Sequence, residues 1–297
     1  MKDNQKADFF VGGRLWRGKL FIATLAIAAM IMLAGGMMSC SDGAEKAYKQ
    51  GIEYENNKEY DKAITAYNKA IAARPSHLEA HLHLGQVYVA MDWPEQAIAI
   101  YKRAIGIQPD CLTAYANLGS IYEQMNNYPE AEKAYQMMID IAPENPSGYK
   151  NLGFLYYLQE EYELALETFA QALPLDSVSP DTHYFMGVLF DRFEAIDQAI
   201  ESYQKAVRVD PGFAQGYLYL GYDYHLQERY DDALQAFTKY AEMRPDDADA
   251  HNNLGQVYFS TKQYGDAIMA FRKALELNPN HTAAQEGLEE SLKKEKK

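Results

Sequence analysis

The side chains that could bind a metal ion or act in catalysis are few and poorly arranged. His77, His81 and His83 lie close together in the sequence, but His81 and His83 point to opposite sides of a helix, which turns by about 100° per residue. The carboxylate pairs Asp231–Asp232 and Asp246–Asp247 stand where helices are expected to begin, and negative charges there stabilise a helix by interacting with its dipole. HExxH, GxSxG and glycine-rich phosphate-loop motifs do not occur. The sequence therefore predicts no catalytic site, no cofactor and no metal site.

Charge and cysteine content exclude two further classes of protein. The chain has 28 basic and 42 acidic side chains, a net charge of −14. Outside the first 40 residues the numbers are 23 and 40, a net charge of −17. A surface this acidic repels phosphate, so nucleic acid is not expected as a partner. Cys40 and Cys111 are too few for a disulfide framework or a cysteine-based zinc site.

The first 40 residues have the features of an export signal. Their five positive charges all precede residue 20, and residues 20–38 form an uncharged run in which Thr24 is the only polar side chain. This run has the length that a helix needs to cross a bilayer, about 17–25 residues, and it also suits the core of a secretory signal. Because the positively charged side stays in the cytoplasm, the chain that follows is predicted to be exported.

The end of this segment resembles the lipobox of bacterial lipoproteins, in which a cysteine is lipidated and becomes the first residue of the mature chain. Cys40 follows Ser39, and Met37 and Met38 stand where that family usually has leucine and a small residue. Residues 1–39 are interpreted as a signal peptide or membrane anchor, and residues 40–43 as the lipid attachment and a short linker. The alternative is an uncleaved single-pass signal anchor. Both interpretations tether the remainder to a membrane, outside the cytoplasm, in a bacterial cell envelope.

The rest of the chain repeats with a period of 34 residues. Glycine, alanine, an aromatic residue and proline each return in seven copies at this period, with Ser177 in place of one proline. The glycine series is Gly51, Gly85, Gly119, Gly153, Gly187, Gly221 and Gly255, and the aromatic series is Tyr67, Tyr101, Tyr135, Phe169, Tyr203, Phe237 and Phe271. Four series at one period predict a repeat architecture.

Each copy has the pattern of two amphipathic helices. In one copy, Tyr115, Leu118, Gly119 and Tyr122 recur at helical spacing, and a second apolar stripe begins at Ala131. Asparagine and proline separate the two stripes, and a proline follows the second. The glycine and alanine series allow the two helices to approach closely, since larger side chains there would overpack the contact.

These copies resemble the tetratricopeptide repeat, whose pattern is W-x2-L-G-x2-Y, then A-x3-F, then A and P. The resemblance covers residues 44–281. It implies an all-α fold, a right-handed superhelical solenoid of seven helix-turn-helix units. The position that is tryptophan in this pattern is not tryptophan in any copy here; it holds Ala47, His81, Tyr115, Tyr149, His183, Tyr217 and His251. Residues 282–297 are predicted to form a capping helix and a charged tail, with Ala284, Leu288 and Leu292 covering repeat seven.

The resemblance implies a protein-binding scaffold rather than an enzyme, with a protein or peptide segment in the concave groove of the superhelix. The alternative is an accessory subunit, substrate-reading or chaperone-like, in a secretion, envelope-assembly or glycosyl-transfer complex. A clamp for a peptide carboxylate is disfavoured, because Tyr48 and Ile52 stand where repeat one would need lysine and asparagine. Asn117, Asn151 and Asn253 match the asparagine series of arrays that serve glycosyl transfer, but His83, Phe185 and Tyr219 interrupt it.

The partner site is predicted on the side of each first helix that faces away from its own repeat. We number the places within each repeat so that the repeating glycine is place 8. On this numbering, the side that faces away comprises places 5, 6, 9 and 12. Repeats four to six carry six rings there, with amides nearby: Phe154, Tyr157, Tyr184, Phe185, Tyr219 and Tyr222, and Asn117, Asn151 and Asn253. An aromatic centre with a polar rim is typical of a protein interface, and Lys150 and Arg192 would assist an acidic ligand. The alternative is that the rings only fill space between neighbouring first helices.

Overall fold

The structure, a computed structural model, describes residues 42–296, and this part of the chain contains helices and turns but no strand. The predicted export signal and the predicted lipid attachment at Cys40 lie outside the described residues. Residues 42–56 are helical and are called α1. The helices that follow are α2 (Tyr60–Ala73), α3 (Leu78–Ala90), α4 (Pro94–Ile107), α5 (Leu112–Gln124), α6 (Tyr128–Ile141), α7 (Pro146–Leu158), α8 (Tyr162–Ala172), α9 (Pro180–Arg192), α10 (Ile196–Val209), α11 (Ala214–Leu226), α12 (Tyr230–Met243), α13 (Ala248–Ser260), α14 (Tyr264–Leu277) and α15 (Thr282–Glu295).

The chain divides into two compact units. The first, Met1–Met125, contains α1 to α5, and the second, Asn126–Lys297, contains α6 to α15. Within each unit consecutive helices pack against each other, with the most extensive contacts inside a helical hairpin, as between α9 and α10. The fold is therefore an all-α solenoid of helix-turn-helix repeats, as the sequence predicts.

The glycine series and the aromatic series pack directly against each other inside the hairpins. A Cβ atom at Gly85 would lie 2.5 Å from the ring of Tyr101, and one at Gly255 would lie 2.6 Å from the ring of Phe271. The alanine series, with Ala97 and Ala199 as examples, is fully buried at the same contact. Only small residues allow the ring of the second helix to lie this close to the first helix. The two series therefore determine how tightly each hairpin closes.

The turn inside each hairpin contains one residue in the left-handed region. These residues have φ between 57° and 64°, and none of them is glycine: Lys58, Asp92, Asn126, Glu160, Glu194, Glu228 and Lys262. Side chains other than those of glycine, asparagine and aspartate rarely adopt this conformation, because Cβ then crowds the following carbonyl. The turn geometry is thus kept in all seven repeats, at a conformational cost where the residue is lysine or glutamate.

Repeat four has an exceptional ending, where Ser177 replaces the usual proline. Its second helix, α8, has 11 residues, whereas the other second helices have 14. The next helix begins with a side-chain cap, in which Oγ of Ser179 accepts a hydrogen bond from the backbone N–H of Thr182 at 3.4 Å. The helix ends two residues before Pro174, because proline has no N–H with which to continue the helical hydrogen bonds, and the following hairpin is intact.

The last helix, α15, covers the end of repeat seven. Ala284 and Leu288 pack with Phe271 in one apolar cluster, and Gly287 lies directly against the ring of Phe271. Leu292, expected in this stripe, lies outside that cluster, and Ser291 is buried instead. Positions 284, 287, 288 and 291 are the stripe that one helix face presents, and Leu292 beside it is half-buried.

Candidate functional site

The six predicted rings form one continuous series of contacts on α7, α9 and α11, which we call the aromatic row. Its order is Tyr157, Phe154, Phe185, Tyr184, Tyr219 and Tyr222. The ring centroids of Phe154 and Phe185 are 5.2 Å apart, and those of Tyr184 and Tyr219 are 5.5 Å apart. These spacings are those of edge-to-face aromatic pairs. The helices of three consecutive repeats therefore bring together side chains that are up to 68 positions apart in the sequence.

The aromatic row rests on buried rings of the second helices. Phe185 stacks on Phe169 of α8 at 5.7 Å with an angle of 3° between the planes. Tyr219 lies 5.4 Å from Tyr203 of α10, and Tyr222 lies 5.3 Å from Phe237 of α12. Because each supporting ring is fixed in the core, the row is held in place before any ligand binds.

The rings differ in how much of their surface they leave open. Phe154, Tyr157, Tyr184, Phe185 and Tyr219 are half-buried, and Tyr222 is 44% exposed. Phe154 and Phe185 join the apolar cluster around Ala165, and Tyr184 and Tyr219 join the cluster around Tyr203. The row thus fills space between first helices and also leaves part of its ring surface open to solvent.

The three predicted asparagines have different surroundings. Asn253 on α13 is buried, and its Nδ2 donates to the hydroxyl of Tyr222 at 3.0 Å, which orients the most exposed ring of the row. Asn151 lies on α7, three residues before Phe154. Asn117 belongs to the first unit, where its Nδ2 donates to the carbonyl of Thr113 at 2.7 Å. Of the three, only Asn253 contacts the row through a hydrogen bond that the structure shows.

A cavity of about 360 Å³ lies beside the start of the row. It is lined by Tyr157, Tyr162, Val188, Asp191 and Arg192. The guanidinium group of Arg192 donates to the hydroxyl of Tyr162 at 2.8 Å and lies over its ring at 4.9 Å. Arg192, which would assist an acidic ligand, is therefore already held by an aromatic side chain of the same cavity.

The second cation expected near the row is also engaged. Nζ of Lys150 lies 2.9 Å from a carboxylate oxygen of Asp176. Burial raises the pKa of the phenols of Tyr157, Tyr184 and Tyr222 above the ordinary value of 10.0, so these groups are neutral at physiological pH. The charge of Lys150 is therefore paired with a carboxylate, whereas Arg192 bonds to a neutral phenol and keeps its positive charge.

The histidines considered for metal binding have protein partners. Nδ1 of His81 lies 2.9 Å from the carbonyl oxygen of His77, and Nδ1 of His83 lies 3.0 Å from a carboxylate oxygen of Glu55. Among residues 42–296 no group of three or more histidine, cysteine or acidic side chains is arranged to hold a metal ion. Within the same range no helix combines the length and the apolar character needed to cross a membrane.

One carboxyl pair near the row was missed by the sequence reasoning. Asp191 and Asp223 interact with each other in the second unit, and the hydroxyl of Tyr203 donates to Asp191 at 2.6 Å. Asp223 stands at place 10 of its repeat, where other repeats have Leu155 and Leu189, both fully buried. That departure from an aliphatic series was visible in the sequence and was the available signal.

Sequence models of the tetratricopeptide repeat match most of the array. Models described as tetratricopeptide repeat match residues 47–120, 113–145, 180–213 and 248–281, and one described as TPR repeat matches residues 221–262. Together these ranges cover well over half of the chain. Residues 146–179 fall between them, and there the approach of Gly153 to the ring of Phe169, with 3.1 Å left for a Cβ, shows the same packing. No curated protein sequence matches the chain significantly.

Solved structures share the fold at low sequence identity. The C-terminal part of a TPR repeat-containing protein from Cytophaga hutchinsonii aligns with a TM-score of 0.66 at 17% identity, over 81% of this chain and 99% of that one. PilF of Pseudomonas aeruginosa aligns with a TM-score of 0.61 at 20% identity, over 72% of this chain and 97% of that one.

A larger assembly contains a similar array. A chain of the APC/C hetero-tetramer Cut9–Hcn1 aligns with a TM-score of 0.58 at 20% identity over 82% of this chain, which spans about half of that one, 48%. The matched repeats, the hairpin packing and these structural alignments agree on one conclusion. The chain belongs to the tetratricopeptide repeat family.

Proposed function

We propose that this protein is a membrane-tethered scaffold that binds a protein or peptide segment through the aromatic row, without catalysis. Members of the family bind protein or peptide partners. The observation that carries the proposal is the row itself, a continuous series of six incompletely buried rings across three consecutive repeats. Rings held on a rigid base contribute much binding energy at little cost in conformational entropy.

The chemistry of the row favours one class of ligand. Its neutral rings suit apolar or aromatic anchors on an extended or helical segment. The chain outside the first 40 residues has a net charge of −17, and Lys150 and Arg192 hold intramolecular contacts. Acidic ligands are therefore repelled at long range, and we infer a partner with neutral or basic residues around its anchors.

The export signal supports a location at a bacterial membrane, on its exported side. A lipid on Cys40 would leave only Ser41 before residue 42, where the described part of α1 begins. The array would then lie at the membrane surface, with little freedom to move away from it. This arrangement suits a scaffold whose partner is also in the cell envelope.

Site-specific photo-cross-linking in cells tests the proposal. A photoreactive phenylalanine analogue replaces Tyr222, which is 44% exposed and belongs to the row, or Phe193, which is 39% exposed at the end of α9. We expect a discrete cross-linked protein adduct from position 222 that is absent at position 193. Adducts of the same size and yield from both positions, or from 193 alone, would place the partner elsewhere.

A pair of substitutions separates binding from folding. Tyr157→Ser with Tyr222→Ser removes two rings of the row and leaves Phe185 on its buried support. We expect this variant to lose the adduct formed from a photoreactive residue at position 219, with only a small fall in melting temperature. An unchanged adduct would exclude the row as the binding surface.

A further inference from the structure

Asp223 stands at a place that apolar residues occupy in repeats two to five and in repeat seven. At place 10, the residues Val87, Leu155, Leu189 and Val257 are at most 1% exposed. Asp223 holds this place in repeat six and is equally enclosed, at 5% exposure. A carboxyl group in an apolar position costs free energy unless it is hydrogen-bonded. The position therefore needs a partner from another helix.

The partner is Asp191, which faces Asp223 from α9 of the preceding repeat. Oδ2 of Asp191 accepts the hydrogen bond from Tyr203 of α10. That leaves one buried oxygen on each carboxyl group, Oδ1 of Asp191 and Oδ2 of Asp223, with no hydrogen-bond partner among the side chains and backbone of the described chain. A single proton between the two carboxyl groups would satisfy both oxygens.

Three titratable groups that adjoin this pair, either close to it in the sequence or bonded to it, are Arg192, His225 and Tyr203. Arg192, next to Asp191, donates to Tyr162 of α8. His225 on α11 bonds through Nε2 to Ser260 of α13 at 3.1 Å, and burial lowers its pKa below the ordinary value of 6.5. The phenol of Tyr203 has its pKa raised by burial and by Asp191, so it stays neutral. None of these groups supplies a positive charge that would keep both carboxyl groups ionised.

We propose that Asp191 and Asp223 share one proton, the carboxylic acid of Asp223 donating to the carboxylate of Asp191, and that this bond is a pH-sensitive latch between α9 and α11. When the proton is lost to the solvent, two negative charges face each other in a buried site. Like charges this close disfavour the packed arrangement. The helices α9 and α11 then separate, and the contact of Tyr184 with Tyr219 spans the same two helices.

The direction of the pH effect follows from the two carboxyl groups. Burial, together with the negative charge of Asp191 and the hydrogen bond to it, raises the pKa of Asp223 to about 7. The pKa of Asp191 is raised by burial as well. A group whose pKa is higher in the packed state than in the open state stabilises packing at low pH. This stabilisation is lost as the pH rises from the ordinary value, 3.8, to about 7.

Hydrogen exchange on the full-length protein in detergent micelles tests the latch. Exchange of backbone amides in α9 and α11 is followed by mass spectrometry at pH 5, 6, 7 and 8, and the wild type is compared with Asp223→Asn at each pH. The amide of asparagine donates to Asp191 without a titrating proton. We expect the ratio of wild-type to variant exchange rates in these helices to rise by up to about tenfold per pH unit up to pH 7, then to level off.

Two further variants make the result decisive. Asp181→Asn neutralises an exposed carboxylate on the same helix and should keep the wild-type pH dependence. Asp223→Leu restores the aliphatic residue of the other repeats and should also remove the pH dependence, even if the asparagine variant loses protection at every pH. A pH dependence in Asp223→Leu equal to that of the wild type would overturn the proposal, as would equal profiles for Asp223→Asn and Asp181→Asn.

Discussion

The hydroxyl of Tyr203 donates to Oδ2 of Asp191 at 2.6 Å, joining the buried ring of one hairpin to place 12 of the same hairpin. The same bond joins Tyr67 to Glu55 in repeat one. Where the buried ring is phenylalanine, place 12 is not acidic: Tyr157 accompanies Phe169, His225 accompanies Phe237 and Phe259 accompanies Phe271. Because a buried hydroxyl needs a hydrogen-bond partner, the ring type and place 12 vary together in these repeats.

Tyr101 departs from this relationship and allows a direct test. Its hydroxyl is buried without a partner among the described residues, and place 12 of its repeat is Val89. Tyr101→Phe should therefore be neutral or stabilise the fold by up to about 1 kcal/mol, whereas Tyr203→Phe should destabilise it by about 1–3 kcal/mol because an acceptor loses its donor. Thermal melts of both variants at pH 6 measure the difference. Equal destabilisation by the two changes would contradict the account.

The glycine series predicts that a larger side chain at one of these positions lowers the free energy of unfolding. In Gly85→Ala the new methyl group meets the ring of Tyr101, and a loss of about 1–3 kcal/mol is expected from overpacking. Gly106→Ala in α4 is the matched control, since nothing lies within 4 Å of its Cβ position, and alanine there should stabilise the helix by about 0.5–1 kcal/mol. Chemical denaturation measures both. Shifts of the same sign would show that packing is not what the glycine provides.

The turn residues in the left-handed region predict where a change to glycine would raise the free energy of unfolding. Glu228 has φ 59° in the turn before α12, and Glu228→Gly should raise the free energy of unfolding by roughly 1 kcal/mol because glycine carries no Cβ penalty there. Glu228→Val should lower it, since a β-branched residue is the least tolerant of this conformation. Asn126→Gly is the comparison, because asparagine already tolerates the left-handed region, and its effect should be smaller. The change in melting temperature from the wild type should be largest and positive for Glu228→Gly, smaller for Asn126→Gly, and negative for Glu228→Val.

The lipid attachment is predicted from the sequence, at residues outside the part that the structure describes. Mass spectrometry of the mature protein should find Cys40 as the first residue with a diacyl or triacyl modification, as its position after Ser39 predicts. Cys40→Ala should abolish the modification, whereas Cys111→Ala should leave it unchanged. An intact N-terminus beginning at Met1, without lipid on Cys40, would establish the signal anchor instead.

The sequence by itself determined the repeat, the helices and the family. The period of 34 residues and the apolar stripes are local patterns, and they predicted the helix pairs and the turns, whereas the shortening of α8 in repeat four was not predicted. These features depend on contacts within one hairpin, between residues about 16 positions apart, such as Gly85 and Tyr101. The same pair of residue types recurs in every repeat, so a single sequence shows the pattern several times.

Only the tertiary structure decided which side chains of different repeats meet. The aromatic row, the bond from Asn253 to Tyr222 and the pairing of Asp191 with Asp223 all join separate hairpins. Their formation depends on the angle and offset at which one hairpin packs on the next, and these arise from the sum of many side-chain contacts rather than from any spacing in the sequence. For the same reason Asn117 and Asn253, which occupy the same place in their repeats, have different surroundings. Asn253 donates to the hydroxyl of Tyr222, whereas Asn117 donates to a carbonyl of its own helix.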